Sequence, residues 1–132
     1  MKRIAIFASG SGTNAQNIIN FFSDDSQAKV SLLLSNNANA FALERAKALG
    51  VETVVFNKEQ LLNPLGVLKT LQKFSIDFIV LAGFLWKIPK ILIDPFVGKI
   101  VNIHPALLPK FGGKGMFGIN VHAAVLKSDE KK

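Results

Sequence analysis

Five short runs constrain the fold most: Arg3–Ala8 (RIAIFA), Val30–Ser35 (VSLLLS), Glu52–Phe56 (ETVVF), Ile76–Ala82 (IDFIVLA) and Gly98–Ile103 (GKIVNI). Most are continuously apolar rather than alternating. A strand with one wetted face alternates, whereas a strand covered on both faces has no reason to. Helical patterns separate the first four runs. Asn14–Phe22 carries Ile18, Ile19 and Phe22 on one face. Ala40–Gly50 spaces Phe41, Ala42, Arg45 and Leu49 at helical intervals and ends on Gly50, a helix stop. Pro64–Phe74 opens on a helix-compatible proline and repeats Val67, Leu68, Leu71 and Phe74. Pro89–Phe96 reads as a shorter crossover of one or two helical turns, bounded by Pro89 and Pro95. Strands alternating with helices predict a parallel sheet with right-handed crossovers.

The expected fold class is therefore α/β: a three-layer α/β/α, Rossmann-like, mostly parallel sheet with five strands in this chain. The 132 residues suit one domain, 1–132, with a real core and little besides. No repeat, linker or low-complexity block interrupts it. The chain has no cysteine, which removes disulfides, thiolate metal sites and thiol nucleophiles, and permits a reducing, cytoplasmic setting. The apolar start, Ile4–Ala8, is too short for a signal-peptide core and reads as the first strand. No apolar stretch is long enough to span a bilayer, so no membrane partner is expected. Net charge is +7, from 16 Lys and Arg against 9 Asp and Glu, which suits an anionic partner. The basic residues are dispersed rather than clustered with aromatics, so a nucleic-acid groove is not expected. Most of the 11 Phe occupy core-like positions.

In open parallel sheets ligands gather beyond the carboxyl ends of the strands. Three such ends hold the polar and glycine-rich residues. After the first strand comes SGSGTN, Ser9–Asn14, leading into a helix. Gly10 and Gly12 allow a tight turn and close approach, and the helix N-terminus offers unpaired N–H groups for phosphate. No Gly-Lys-Ser/Thr follows, and the third glycine of a dinucleotide fingerprint is missing, so a single phosphate fits best. The alternative is an ordinary strand-to-helix turn. The fourth strand exits into AGFLWK, where Trp86 is either core or the wall of a planar ligand site. The fifth ends in NIHP. Asn102 and His104 are two apart and share a strand face. An amide donor and an imidazole on one face can converge on an oxygen that becomes negative in acyl transfer, and the imidazole can move a proton at neutral pH. The alternative is a histidine capping buried backbone. GGKG around Lys114 has no strand leading into it and reads as a surface loop. His122 reads as a surface or capping histidine, with no second ligand at zinc spacing; no metal is expected.

These residues resemble the folate-dependent formyltransferases. NIHPALLPKFGGKG is similar to that family's Asn-x-His-Pro-x-Leu-Leu-Pro signature, and SGSGTN and LAGFLWKIP stand where the family has its phosphate loop and folate segment. The Gly-Thr-Asn loop and KFGGKGM are similar to the branch acting on glycinamide ribonucleotide. The resemblance runs from RIAIFASGSGTN to VHAAVL, nearly the whole chain. It implies that Gly12, Thr13 and Asn14 hold the substrate's ribose phosphate. Leu85, Trp86, Lys87 and Ile88 would contact the folate, and Asn102 and His104 would be the catalytic pair. It further implies 10-formyltetrahydrofolate as cosubstrate, glycinamide ribonucleotide as substrate and a place in purine synthesis. A formyltetrahydrofolate hydrolase and a non-catalytic phosphate-binding module are the competing readings. The family's catalytic Asp, its last strands and its C-terminal helix fall beyond Lys132. The chain is therefore expected to be an N-terminal part of the domain, with an open sheet edge that favours pairing into a homodimer.

Overall fold

The computed structural model describes residues 1–25 and 27–103. His104, the glycine-rich loop, Lys114 and His122 lie outside the described residues. The strands are β1 (Lys2–Phe7), β2 (Ala28–Ser35), β3 (Glu52–Val55), β4 (Phe78–Ala82) and β5 (Ile100–Ile103). They form one sheet in the order β3-β2-β1-β4-β5, and every neighbouring pair is parallel.

Helices cover both faces, which is why the strand runs are continuously apolar. On one face Ile4, Ile6, Leu33, Val80 and Val101 pack with Ala15, Ile18 and Ile19 of α1 (Thr13–Phe21) and Ala42, Leu43 and Ala46 of α2 (Phe41–Ala48). On the other, Ala5, Phe7, Leu32, Leu34, Ile79 and Ile100 pack with Leu61 of α3 (Lys58–Leu62), Leu71 of α4 (Lys69–Lys73) and Leu92 of α5 (Lys90–Ile93). One polar residue in β2 would spoil this phasing. Ile4 pairs with Val30 but Ala5 pairs with Leu32, so Ser31 is the extra residue of a bulge. The bulge shifts the alternation by one and sends Leu32, Leu33 and Leu34 to the faces their partners occupy. Its cost is visible: the Ser31 hydroxyl is buried without a hydrogen-bond partner.

Two helices differ from their sequence pattern. The buried stripe of α2 is Ala42, Leu43 and Ala46, while Phe41 and Leu49 are exposed. Small side chains let α2 approach closely, and the larger ones are turned out. The stretch expected to form one helix from Pro64 is instead broken. A tight turn over Pro64–Leu68 contains Gly66 at φ −96°, ψ −112°, outside helical space, and only Lys69–Lys73 continues as helix. A side chain cannot replace that glycine's hydrogen, because a Cβ there would lie 2.2 Å from the Gln60 carbonyl oxygen. Upstream, the structure adds the short helix α3. Asn57 and Gln60 form a capping box in which each side chain accepts the other's backbone N–H at 2.8 Å. Asn57→Ala is expected to destabilise the fold by about 1 kcal/mol in urea denaturation, the usual worth of an N-cap side chain.

Candidate functional site

Chain connectivity reverses direction at β1: β2 and β3 lie on one side of it, β4 and β5 on the other. The helices after β1 and β4 diverge there and open a crevice. A cleft of about 410 Å³ occupies it, lined by Gly10, Ser11, Gly12, Thr13 and Asn14 from the β1 exit and by Ala82 and Gly83 from the β4 exit. Gly12, Thr13 and Asn14 are thus brought together at one cavity.

Gly12 caps α1 with a left-handed backbone, φ 78° and ψ 15°, and no side chain caps the helix. The Gln16 N–H reaches the Gly12 carbonyl at 2.8 Å. The first-turn N–H groups before it have no intrahelical acceptor, and the helix dipole leaves them with partial positive charge. None of the described residues lining the cleft is charged, and these N–H groups give it electropositive character.

Helix α2 holds the loop in place. The Ala42 N–H donates to the Gly10 carbonyl at 3.1 Å, so the loop satisfies one of the free donors at the start of α2. Arg45 Nε donates to the Ser11 carbonyl at 2.7 Å, and Arg45 Nη1 donates to Gln16 Oε1. The same guanidinium lies 4.8 Å from the centre of the Phe41 ring. Arg45, which helical spacing alone placed among apolar neighbours, is therefore a loop-holding residue that brings a positive charge next to Ser11. The sequence carried a hint of this: an arginine set within a stripe of alanines has no apolar partner of its size.

At the β4 exit, Gly83 turns the chain with φ 74°. Phe84 and Trp86 are half-buried and pack edge-on against each other; Trp86 is edge-on to Phe56, Phe84 is tilted against it, and Phe7 packs edge-on to Phe84. Lys58 Nζ lies 4.7 Å from the centre of the Trp86 ring. Trp86 is thus packed in part and accessible in part, not a fully buried core residue. Leu85 is 82% exposed, Lys87 is exposed, and Ile88 is buried in the core. Of the four residues expected at a folate, the Ile88 side chain serves packing, and Leu85, Trp86 and Lys87 present surface. Asn102 is half-buried near the carboxyl end of β5, in register with Leu81, one residue before cleft-lining Ala82. No three His, Cys, Asp or Glu side chains cluster as a metal site among the described residues.

An open parallel sheet with a helix N-terminus at a cleft beside its reversal point is an architecture suited to phosphorylated small molecules. The family model described as "Formyl transferase" matches residues 2–132, and the chain belongs to that family. Phosphoribosylglycinamide formyltransferase, chloroplastic, of Arabidopsis thaliana is 43% identical over 133 residues, covering 96% of this chain and 46% of that protein. The Haemophilus influenzae phosphoribosylglycinamide formyltransferase is 42% identical over 118 residues, covering 86% of this chain and 56% of its own length. The crystal structure of glycinamide ribonucleotide transformylase 1 from Geobacillus kaustophilus superposes with a TM-score of 0.72 at 41% identity, over 89% of this chain and 65% of that one. The chain thus spans about half the length of these two curated relatives.

Gly12 has no freedom to vary. A Cβ there would sit 2.4 Å from Ala42 Cα and 2.6 Å from Ala42 Cβ, and φ is positive. Gly12→Ala is expected to lower stability by about 1–3 kcal/mol, read as a fall in melting temperature, because both helices must shift.

Proposed function

We propose that this chain is the N-terminal part of a formyltransferase domain that moves a formyl group from 10-formyltetrahydrofolate to the amine of glycinamide ribonucleotide, a step of purine synthesis. The observation that carries the reading is the cleft at the β1/β4 reversal. It combines an uncapped helix N-terminus at Gly12–Asn14 with the half-exposed aromatic segment Phe84–Trp86 leading from the same cavity's other wall. A phosphate suits the first, and a planar heterocycle suits the second. The named relatives support the choice of acceptor.

In this reading Gly12, Thr13 and Asn14 hold the ribose phosphate, and Leu85, Trp86, Lys87 and Ile88 border the folate, Ile88 through its backbone. The substrate amine attacks the formyl carbon, a C–N bond forms, and the carbonyl electron pair moves onto oxygen. Asn102 donates to that oxyanion, and protonated His104 does so from beyond the described residues. Collapse breaks the bond to the folate nitrogen, which takes up a proton that the attacking amine releases, by way of His104 or water. A cytoplasmic location is proposed with this chemistry, although the plant relatives are named as chloroplastic. A homodimer is the proposed assembly, supported by β3, whose outer edge has no neighbour among the described residues. Sedimentation at monomer mass across a wide concentration range would remove it.

The deciding experiment supplies 10-formyltetrahydrofolate carrying a labelled formyl group, with and without glycinamide ribonucleotide. It uses chain 1–132 beside a form extended through the rest of the family's domain. Label on the ribonucleotide amine supports the transferase. Label released as formate in both conditions supports the hydrolase, and ribonucleotide binding without turnover in either form supports a binding module. The extended form is expected to turn over, and chain 1–132 to bind the ribonucleotide with little turnover. The extended form supplies the catalytic Asp that the family resemblance implies. In the extended form, His104→Ala is expected to lower kcat by about 10²-fold or more while leaving ribonucleotide KM nearly unchanged, because the imidazole acts on charge that develops in the transition state.

A further inference from the structure

We infer that Ser9 is a positioning residue that sets the spacing between the anion loop and the Leu85–Ile88 segment. The identity of the two ligands it would align rests on the function proposed above. Ser9 is only 6% exposed, one of two buried polar side chains among the described residues. Its hydroxyl donates to Asn36 Oδ1 at 2.7 Å and accepts the Leu85 N–H at 3.0 Å, and its own N–H donates to the Gly83 carbonyl at 3.2 Å. One residue thus ties together the exits of β1, β2 and β4. The hydroxyl is the group suited to this place, since it donates and accepts at once. Alanine would leave the Leu85 N–H and the Asn36 oxygen unpaired in a half-buried site.

The consequence is geometric. Ser9 immediately precedes the loop that lines the cleft, and Leu85 opens the segment bordered by Trp86. Without this bond the Ser9 N–H to Gly83 carbonyl contact, three residues short of Trp86, is the remaining hydrogen bond between the two strand exits among the described residues. Two reactants held on separate walls react efficiently only when the walls keep their separation. The Asn36 carbonyl fixes the direction of the Ser9 O–H, so Asn36 acts through Ser9.

The test follows backbone amide resonances of the ¹⁵N-labelled protein during titration with inorganic phosphate. In the unaltered chain, phosphate is expected to shift Gly12, Thr13 and Asn14 directly and Leu85 through Ser9, all with one apparent affinity. In Ser9→Ala the loop amides should still shift, while the Leu85 response falls by more than half and its hydrogen exchange accelerates by about tenfold, the loss expected for an amide hydrogen bond. Asn36→Ala should reduce the Leu85 response in part, and Asn36→Asp, which keeps an acceptor oxygen, should restore it. A merely structural serine would lower the melting temperature without uncoupling Leu85 from the loop. If Leu85 responds in Ser9→Ala as it does in the unaltered chain, the inference is overturned and the phosphate reading stands. If phosphate moves no loop amide in the unaltered chain, both are overturned. Should Ser9→Ala fail to fold, the Asn36 pair decides: equal Leu85 responses in Asn36→Ala and Asn36→Asp overturn the inference.

Discussion

The approach of Gly12 to Ala42 is the constraint on which the carboxyl edge of the sheet depends. Two helix N-termini meet there with almost no side chain between them. The glycine has no Cβ and the alanine has only one, so the start of α1 lies against the start of α2. That proximity lets the Gly10 carbonyl accept an N–H from the first turn of α2, and it brings Arg45 within reach of Ser11 and Gln16. A larger residue at either position would separate the helices and release all of these bonds. The loop is therefore shaped by a packing requirement before any ligand is considered.

This arrangement divides the electrostatic work. The described residues that line the cleft are neutral, and what they offer an anion is backbone N–H groups fixed in direction. The formal charge of Arg45 sits behind the loop, where it holds the backbone in place. Fixed dipoles need no reorganisation when a charge arrives, whereas a flexible lysine in the cleft would have to give up its own hydration and freedom. Beyond the β4 exit, the half-buried Phe84 and Trp86 pack on buried Phe56, and Lys58 lies over the Trp86 ring.

Parts of the protein were legible in its sequence because a local pattern carried them. The five strands, the parallel sheet and the first helix follow from continuous apolar runs and helical spacing. The loop followed because glycine pairs ahead of a helix have few other uses. The same reasoning erred in two places. In α2, helical spacing grouped Phe41, Ala42, Arg45 and Leu49; of these Ala42 is buried, Leu43 and Ala46 complete the buried stripe, and the space between α1 and the sheet turns the bulky Phe41 out. In the Pro64 region apolar spacing conceals a backbone break at Gly66, and the short α3 before it is marked only by its Asn57–Gln60 capping box.

What the sequence by itself determined is the class of the chain and the residue types at each strand exit, because hydrophobic periodicity and turn chemistry act over a few neighbouring residues. The tertiary structure alone decided which exits adjoin. The strand order places β1 between β2 and β4, and so brings Ser9 to Asn36, 27 positions away, and to Leu85, 76 positions away. It also turned Arg45 from an apparent core neighbour into the residue that holds Ser11. Such pairings arise from the path of the whole chain through space, and no local spacing rule encodes them.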